Sequence, residues 1–441
     1  MSRTIYMIIG LLVMAVGCNK PHDQAALDSY FEGSLATYNG HLTDVIVADI
    51  FTPPVASRIY SYPNIAAYES IRFMDPSKPS LVGKLNGLST LSEPSAEKSY
   101  YYPLASLIAF TGVAKALVYD QERVEALQKK LLEEVTEIGI DKKVYANSVQ
   151  FGETISKEIL GWAAQDGYLE RTALPRYSVS DDASRWRPTP PDYMESIEPH
   201  WSTLRPFMLD SAQQFRPLPP TVFDTIASSQ FFAETKEVYE TVKNLSKEQL
   251  DIAKFWDCNP NVSYTQGHVM YFKQQISPGG HWIMIACQVI QKEKLDPVRA
   301  AEVLSKLGLT IADAFISCWD EKYRSSLTRP ETYINTYMDP DWKPILQTPA
   351  FPEHTSGHSV ASAAAATMLT HLFGDNYAFK DSTEVKYGLP VRSYNSFREA
   401  SNEAAISRLY GGIHYRPAIS SGLWQGNSVG DFIVKKVSGD E

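Results

Sequence analysis

Apolar residues recur at spacings of three and four along most of the chain, and strict alternation of apolar and polar residues is scarce. The first pattern places apolar side chains on one face of an α-helix, whereas alternation is typical of a strand. We therefore predict an all-α protein. The predicted helices cover residues 55–73, 101–119, 124–138, 144–164, 246–256, 281–291, 296–319, 360–371 and 418–436. Pro63 is expected to kink or break the first of them, because proline removes a helix hydrogen bond.

A proline- and tryptophan-rich stretch at residues 186–207 interrupts the helical pattern with five prolines and two tryptophans. A long irregular segment within a compact protein commonly crosses between layers or serves function. We interpret it as a crossover loop between an N-terminal helical half (51–185) and a C-terminal helical, catalytic half (208–437). Residues 18–50 are interpreted as a polar lead-in.

The overall composition describes an ordinary globular protein with no basic surplus. The 441 residues are 44% hydrophobic and 21% charged, and the formal net charge is −10. This charge argues against general nucleic-acid binding. Any site for an anion must therefore be built by local clustering of cations.

The first 17 residues have the pattern of a signal peptide. Arg3 precedes an apolar run from Ile5 to Val16, which is too short to span a bilayer. Gly17-Cys18 resembles the lipobox of bacterial lipoproteins, in which the cysteine becomes the lipidated N-terminus. We expect an exported protein that is anchored through Cys18 at the bacterial cell envelope, facing the periplasm or the exterior. Ala15 stands where that box more often has leucine, so secretion without a lipid is the alternative.

Three further cysteines, Cys258, Cys287 and Cys318, show no spacing typical of a metal site. Outside the cytoplasm they can form one disulfide and leave one thiol, or all three can be buried free cysteines. The sequence leaves both alternatives open.

The stretch Phe351-Pro-Glu-His-Thr-Ser-Gly-His-Ser359 carries the densest candidate chemistry. It precedes a predicted helix, whose first N–H groups lack partners and carry partial positive charge. Ser356 supplies a hydroxyl, Gly357 allows close approach to the backbone, and His358 can move a proton. This combination suits a tetrahedral oxyanion.

Two further segments supply cations and a second histidine. Lys322 and Arg329-Pro330 lie at the exit of a predicted helix, and Ser407-Arg408 is followed by His414. If these segments converge on residues 356–358, they form a clamp for an oxyanion.

The three segments together resemble the signature of the type 2 phosphatidic acid phosphatase and vanadium haloperoxidase superfamily. That signature reads Lys-x6-Arg-Pro, Pro-Ser-Gly-His and Ser-Arg-x5-His-x3-Asp, and it occurs here in order. Thr355 replaces its proline. Ala418 replaces the aspartate that supports the last histidine, so this support comes from elsewhere or is missing.

The extra N-terminal half and the stretches at residues 53–60 and 186–191 resemble the vanadium haloperoxidase branch in particular. This resemblance implies two packed helical bundles, with the active site in the C-terminal one. It also implies a vanadate cofactor, for which phosphate can substitute in the same site, and hydrogen peroxide and a halide as substrates.

The resemblance also assigns roles to individual residues. His414 would ligate vanadium, and His358 would be the acid–base group that protonates peroxide. Lys322 would polarise the peroxide. The residues expected to hold the vanadate oxygens are Lys322, Arg329, Ser356, Gly357 and Arg408.

Trp319 and Phe351 match aromatic residues near the halide in chloride-oxidising relatives, or they are core residues. His354 is a third histidine nearby, without an assigned role.

Two other functions remain open at this stage. One is a phosphatase that acts on phosphate esters, in which His414 forms a phosphohistidine and His358 protonates the leaving group. The other is a relative that only binds phosphate, which the alanine at position 418 favours.

Overall fold

A computed structural model describes residues 22–439 of the chain. The expected signal peptide (1–17) and the expected lipid attachment site at Cys18 lie outside these residues. The described part is mostly helical, as predicted, with helices at α1 (Gln24–Phe31), α2 (Ser34–Ala48), α3 (Pro53–Ile71), α4 (Tyr102–Leu117), α5 (Gln121–Ile138), α6 (Lys142–Ala163), α7 (Gln230–Lys243), α8 (Lys247–Phe255), α9 (Pro278–Glu293), α10 (Pro297–Ser325), α11 (Pro330–Tyr337), α12 (Gly357–Phe373), α13 (Phe397–Tyr410) and α14 (Arg416–Ser438).

Two short antiparallel hairpins interrupt the helices. Strand β1 (Ser263–Gln266) pairs with β2 (Val269–Phe272), and β3 (Phe379–Asp381) pairs with β4 (Arg392–Tyr394). Within residues 22–439, no helix is long and apolar enough to cross a membrane. Cys258, Cys287 and Cys318 are all buried and free, so the second of the two cysteine alternatives is confirmed.

Helix α3 is the centre of the N-terminal half. It packs against α4 and α6, and all of its residues are buried. The helix continues through Pro63, so this proline does not break it, and a kink at Pro63 stays a prediction. A proline inside a helix costs about 3 kcal/mol, and burial on several sides compensates for such a cost.

The interpretation of residues 18–50 as a polar lead-in is also wrong for its described part. Residues 24–31 and 34–48 form α1 and α2, and Leu27, Phe31 and Leu42 lie in the hydrophobic core. Polar residues such as Asn39 and Thr43 lie on the buried face of α2, so the sequence does not show a continuous apolar face there. Both are fully buried, and Asn39 exchanges side-chain hydrogen bonds with Asn64 of α3.

Helix α10 joins the two halves. It packs against α3 on one side and against α12 and α14 on the other. As a result, one continuous cluster of buried hydrophobic residues runs through both halves. Asp296 caps the start of α10, with its carboxylate accepting from the N–H groups of Val298 and Arg299. The opposite end of this helix carries Lys322.

The crossover loop is packed down onto α10. Trp186 and Trp201 are buried, and Trp319 donates its indole N–H to the carbonyl of Ile197. The end of the loop is fixed by Asp313 of α10, whose carboxylate accepts from three consecutive backbone N–H groups at residues 207–209. The loop therefore contributes to the rigid wall behind the C-terminal bundle.

Candidate active site

The three motif segments converge in the C-terminal bundle. Lys322 lies in the last turn of α10, and Arg329 immediately precedes α11. The start of α12 contributes residues 356–358, and the last turn of α13 contributes Arg408. His414 lies in the short turn between α13 and α14. Helix ends from four directions thus meet at one place, which agrees with the predicted location.

A small cavity of about 20 Å³ lies at this place. Five of the predicted residues line it, namely Trp319, Phe351, Gly357, His358 and His414. The other lining residues are Pro53, Cys258, Asn259, Pro278, Phe315, Pro349 and Ile413. Aromatic and proline residues make up half of the wall, and Cys258, Asn259, His358 and His414 are its polar residues.

His414 is held at both ring nitrogens. Nη1 of Arg329 lies 3.1 Å from Nε2, so Nε2 accepts this hydrogen bond, and Nδ1 donates to Oε1 of Glu353 at 2.8 Å. Burial, followed by the charges of Arg329 and Lys322, holds the pKa of His414 well below its ordinary value. The imidazole is therefore neutral and presents a lone pair at Nε2, which is the form that ligates a metal.

Glu353 supplies the support that the sequence leaves open at Ala418. Its Oε1 accepts from Nδ1 of His414 and also from the backbone N–H of Tyr415 at 2.9 Å. The side chain is fully buried, and burial raises the pKa of Glu353 to about 7 while Arg329 opposes the rise. Ala418 has another role, since its carbonyl accepts from the N–H of Ser356. In this chain the carboxylate that orients His414 therefore comes from the loop before α12, whereas the signature places it at the position of Ala418 in α14.

Arg329 links the motif loop to the histidine turn. Its Nε donates to the carbonyl of Phe351 at 2.9 Å, and Nη1 donates to the carbonyl of Ile413 at 2.8 Å. Nη2 is buried without a hydrogen-bond partner among the described residues. Burial lowers the pKa of Arg329 to about 10, and Glu353 opposes this shift. The guanidinium of Arg329 is thus a cation beside His414, and its Nη2 remains available as a hydrogen-bond donor.

Lys322, like Arg329, Ser356 and Arg408, is not among the residues that line the cavity. It is fully buried, and its ammonium donates to the backbone carbonyls of Pro352, Glu353 and Thr355. Burial, together with the charge of Arg329, lowers the pKa of Lys322 to about 7. In this structure Lys322 therefore holds the motif loop, residues 351–356, in place through its backbone carbonyls.

Arg408 approaches from the opposite side. Its Nε donates to Oγ of Ser407, and Nη2 donates to the carbonyl of Trp256 at 2.5 Å. Burial lowers the pKa of Arg408, while Asp257 opposes the change. The segment after α8 therefore positions this arginine.

The start of α12 has the geometry expected for an anion site. Ser356 caps the helix, with its Oγ accepting from the N–H of Ser359 at 3.3 Å. A Cβ on Gly357 would lie 3.6 Å from the ring of Trp319, so the absent side chain leaves the cavity wall open. Nε2 of His358 is buried without a hydrogen-bond partner in the described chain. Burial, with the charge of Arg408, holds the pKa of His358 well below its ordinary value.

The two aromatic residues form a pair at the cavity wall. The rings of Trp319 and Phe351 lie 5.0 Å apart, and the ammonium of Lys322 lies 4.9 Å from the Phe351 ring. Both rings are buried against the core and also line the cavity, so the two alternatives drawn from the sequence are not exclusive. His354, in contrast, turns away, and its Nε2 lies 3.2 Å from the carbonyl of Leu218.

Sequence reasoning did not identify Glu353 or the cavity residues from the segment after α8. A signal for Glu353 existed, because an acidic residue between Phe351-Pro352 and His354 is unusual in a buried loop. Cys258 and Asn259 lie more than 60 residues before the first motif, and only the fold brings them to the cavity.

Three comparisons with known proteins bear on this site. Residues 302–439 match the family model of the second helical-bundle domain of vanadium chloroperoxidase, VCPO. A structure described as the first bacterial vanadium-dependent iodoperoxidase is 44% identical, with a TM-score of 0.88, and the alignment covers 95% of this chain and 98% of that one.

Two structures of a bacterial vanadium-dependent chloroperoxidase, holo-type and apo-type, are each 17% identical to the chain. Their TM-scores are 0.65 and 0.64, and the alignments cover 89% of this chain and 93% and 96% of theirs, so they show the shared fold. A search of curated proteins found no match. The convergent motif residues and the 44% identity over nearly the whole length lead to one conclusion: the chain belongs to the vanadium-dependent haloperoxidase family.

Proposed function

We propose that the protein is a vanadium-dependent haloperoxidase, which uses hydrogen peroxide to oxidise a halide. The observation that carries this proposal is the arrangement of His414. Its ring lines the cavity, a buried carboxylate orients the ring, and the charges of Arg329, Lys322 and Arg408 act on it. Family membership supports the same function.

The residues present fit a vanadate ion. Vanadate is a tetrahedral oxyanion that needs hydrogen-bond donors and positive charge on its oxygens and a nitrogen on its metal. One buried donor, Nη2 of Arg329, and one buried ring nitrogen, Nε2 of His358, lack partners in the described chain. The N-terminus of α12 adds backbone N–H groups, and Gly357 leaves space for close approach. We therefore propose Arg329, Ser356, Gly357 and Arg408 as holders of the oxygens.

His414 is proposed as the vanadium ligand through Nε2. A ligating histidine usually donates its other N–H to a carboxylate or carbonyl, which fixes the ring and raises its basicity. Glu353 is placed to do this. Because Nε2 accepts from Arg329 in this structure, the same arginine lies next to the oxygens of a bound anion.

Bound vanadate would supply an electrophilic centre that activates peroxide toward attack by a halide. The protein's own contribution is positioning and proton transfer. His358 is neutral, and its Nε2 has no partner in the described chain, so it can take a proton from peroxide and return it to the leaving oxygen. Lys322 sits behind the motif loop and is proposed to add positive charge there.

We further propose iodide as the preferred halide. The 44% identical structure is described as an iodoperoxidase, and iodide is the halide among chloride, bromide and iodide that loses an electron most readily. Trp319 and Phe351 are proposed to border the halide, since both line the cavity beside His414 and Gly357. Their polarisable ring edges suit a large, weakly hydrated anion.

Turnover measurements with and without vanadate test the proposal. Full-length protein is reconstituted with orthovanadate, and peroxide consumption is followed with iodide, bromide and chloride, alongside hydrolysis of a phosphate ester. We expect vanadate-dependent peroxide consumption that is fastest with iodide. Phosphate-ester hydrolysis that vanadate inhibits would instead indicate the phosphatase. Inactivity in both assays, with and without vanadate, would indicate the relative that only binds phosphate.

We also propose that the protein is exported and lipid-anchored through Cys18, on the basis of the apolar run and Gly17-Cys18 in the sequence. Mass spectrometry of the mature N-terminus tests this. A diacylglycerol-modified cysteine at the N-terminus is expected, whereas an unmodified N-terminus would point to plain secretion.

A further inference from the structure

A second cluster of ligand-type side chains lies outside the oxyanion residues. Sγ of Cys258, Nδ1 of His281 and Oε1 of Glu384 all lie within 4.8 Å of one another, and all three residues are buried. The sulfur and the carboxylate oxygen each lie 3.2 Å from Nδ1. The three residues come from distant segments: the loop after α8, the first turn of α9 and the segment after β3.

The histidine of this cluster is oriented as metal-ligating histidines are. Nε2 of His281 lies 2.7 Å from Oδ2 of Asp381, and both side chains are fully buried. Such a carboxylate fixes the ring and directs the other nitrogen toward an ion. The remaining ring nitrogen, Nδ1, faces Cys258 and Glu384.

Glu384 provides the second, independent indication of a ligand. Its Oε1 is buried and makes no hydrogen bond of acceptable geometry within the described residues, although Nδ1 of His281 is only 3.2 Å away. A buried carboxylate oxygen without a hydrogen bond is costly unless it is paired or coordinates a metal, and among the described residues this oxygen is paired through charge with His281 alone.

We propose that Cys258, His281 and Glu384 bind a divalent metal ion of the zinc class. Thiolate, imidazole and carboxylate are all zinc ligands, with bond lengths of about 2.0–2.3 Å. For tetrahedral geometry, these bond lengths correspond to separations of about 3.3–3.6 Å between ligand atoms. The observed 3.2 Å separations need only a small expansion to admit the ion. Three protein ligands leave a fourth position for water.

The ion would stabilise the wall of the oxyanion site without taking part in its chemistry. Cys258 lines the same cavity as His358 and His414. The backbone carbonyl of Trp256 accepts a hydrogen bond from Arg408. The indole ring of Trp256 stacks on the ring of His281 at a centroid distance of 4.6 Å. A metal bound to Cys258 and His281 would therefore fix the segment that positions Arg408. This inference does not depend on the proposed halide chemistry.

Metal analysis and cobalt spectroscopy on the full-length chain test the proposal. Purified protein is incubated with Zn²⁺, exchanged into metal-free buffer and analysed for zinc. Separately, it is titrated with Co²⁺, whose bond to a thiolate gives a characteristic charge-transfer absorption. We expect one zinc per chain and a saturable cobalt–thiolate band. Both should be lost in Cys258→Ser and retained in Cys287→Ser, which removes another buried thiol from α9.

The wild-type cobalt spectrum keeps the test decisive even if Cys258→Ser does not fold. Absence of a cobalt–thiolate band in the wild-type protein would overturn the proposal and leave a buried network of ion pairs and hydrogen bonds around His281. Glu384→Gln provides a second variant, in which the charge is lost and the shape is kept. Zinc binding of unchanged affinity and stoichiometry in Glu384→Gln would likewise contradict the site.

Discussion

Replacing Glu353 by glutamine separates coordination of vanadium from simple anion binding. The carboxylate of Glu353 accepts from Nδ1 of His414 at 2.8 Å and from the N–H of Tyr415 at 2.9 Å. Glutamine preserves the size and one acceptor oxygen but removes the charge. The imidazole consequently becomes a weaker ligand and is held less firmly.

The magnitude follows from the hydrogen bond that is weakened. A hydrogen bond to a charged group contributes about 1.5–3 kcal/mol, and a neutral one contributes about 1 kcal/mol. Above pH 7, where Glu353 is ionised, loss of the charge should therefore cost about 1–2 kcal/mol, which corresponds to an increase of roughly 5- to 30-fold in the Kd for vanadate. Phosphate affinity should hold or rise, because phosphate forms no bond to His414 and the buried carboxylate repels any anion in the cavity.

Calorimetric titration of both anions into wild type and Glu353→Gln measures this difference. Glu69→Gln is a matched control, since Glu69 is a buried carboxylate of α3 with several hydrogen bonds, remote from the motifs. It should change neither affinity. An equal loss for vanadate and phosphate in Glu353→Gln would show that the substitution only disturbs the pocket. Unchanged vanadate affinity would refute the orienting role of Glu353.

Three further predictions concern stability and pH. Asp313→Ala should lower the free energy of unfolding by about 3–5 kcal/mol in denaturant titrations, because it leaves three buried backbone N–H groups without an acceptor. The surface variant Asp251→Ala should lower it far less. Affinity for sulfate, whose charge is constant over this range, should fall as pH rises through about 7, where both Lys322 and Glu353 lose their protons, and Lys322→Met should bind more weakly with a smaller step. Burial lowers the pKa of His354 from its ordinary value of about 6.5 to about 4, so the folded state binds fewer protons than the unfolded state between these values. The contribution of His354 to the free energy of unfolding should therefore be fully present above about pH 6.5 and fall by about 3 kcal/mol toward pH 4. His354→Gln should reduce that fall.

The location of the site could be predicted from the sequence because its residues lie in three short segments with fixed spacing. Each segment ends or begins a helix, so the cation or histidine that it carries is placed by local rules. Ser356 caps α12, and Lys322 lies in the last turn of α10. Convergence of these ends could be inferred only through the family resemblance.

Features that depend on tertiary packing could not be predicted in this way. The continuity of α3 through Pro63 depends on burial by neighbouring helices, which local propensity does not report. The helices at residues 24–48 were missed because buried Asn39 and Thr43 interrupt their apolar face. The partner of His414 required the fold, since Glu353 lies 61 residues away and no spacing rule connects the two.

The vanadium content of the reconstituted protein tests the central claim most directly. Full-length protein is saturated with orthovanadate and passed through gel filtration, and vanadium per chain is then measured for wild type, His414→Ala and His268→Ala. His268 is an exposed histidine in the β1–β2 turn and serves as the control. We expect one vanadium per chain for wild type and His268→Ala, and none for His414→Ala, whose circular dichroism spectrum should match wild type. Full vanadium retention by a folded His414→Ala protein would contradict the assignment of His414 as the ligand.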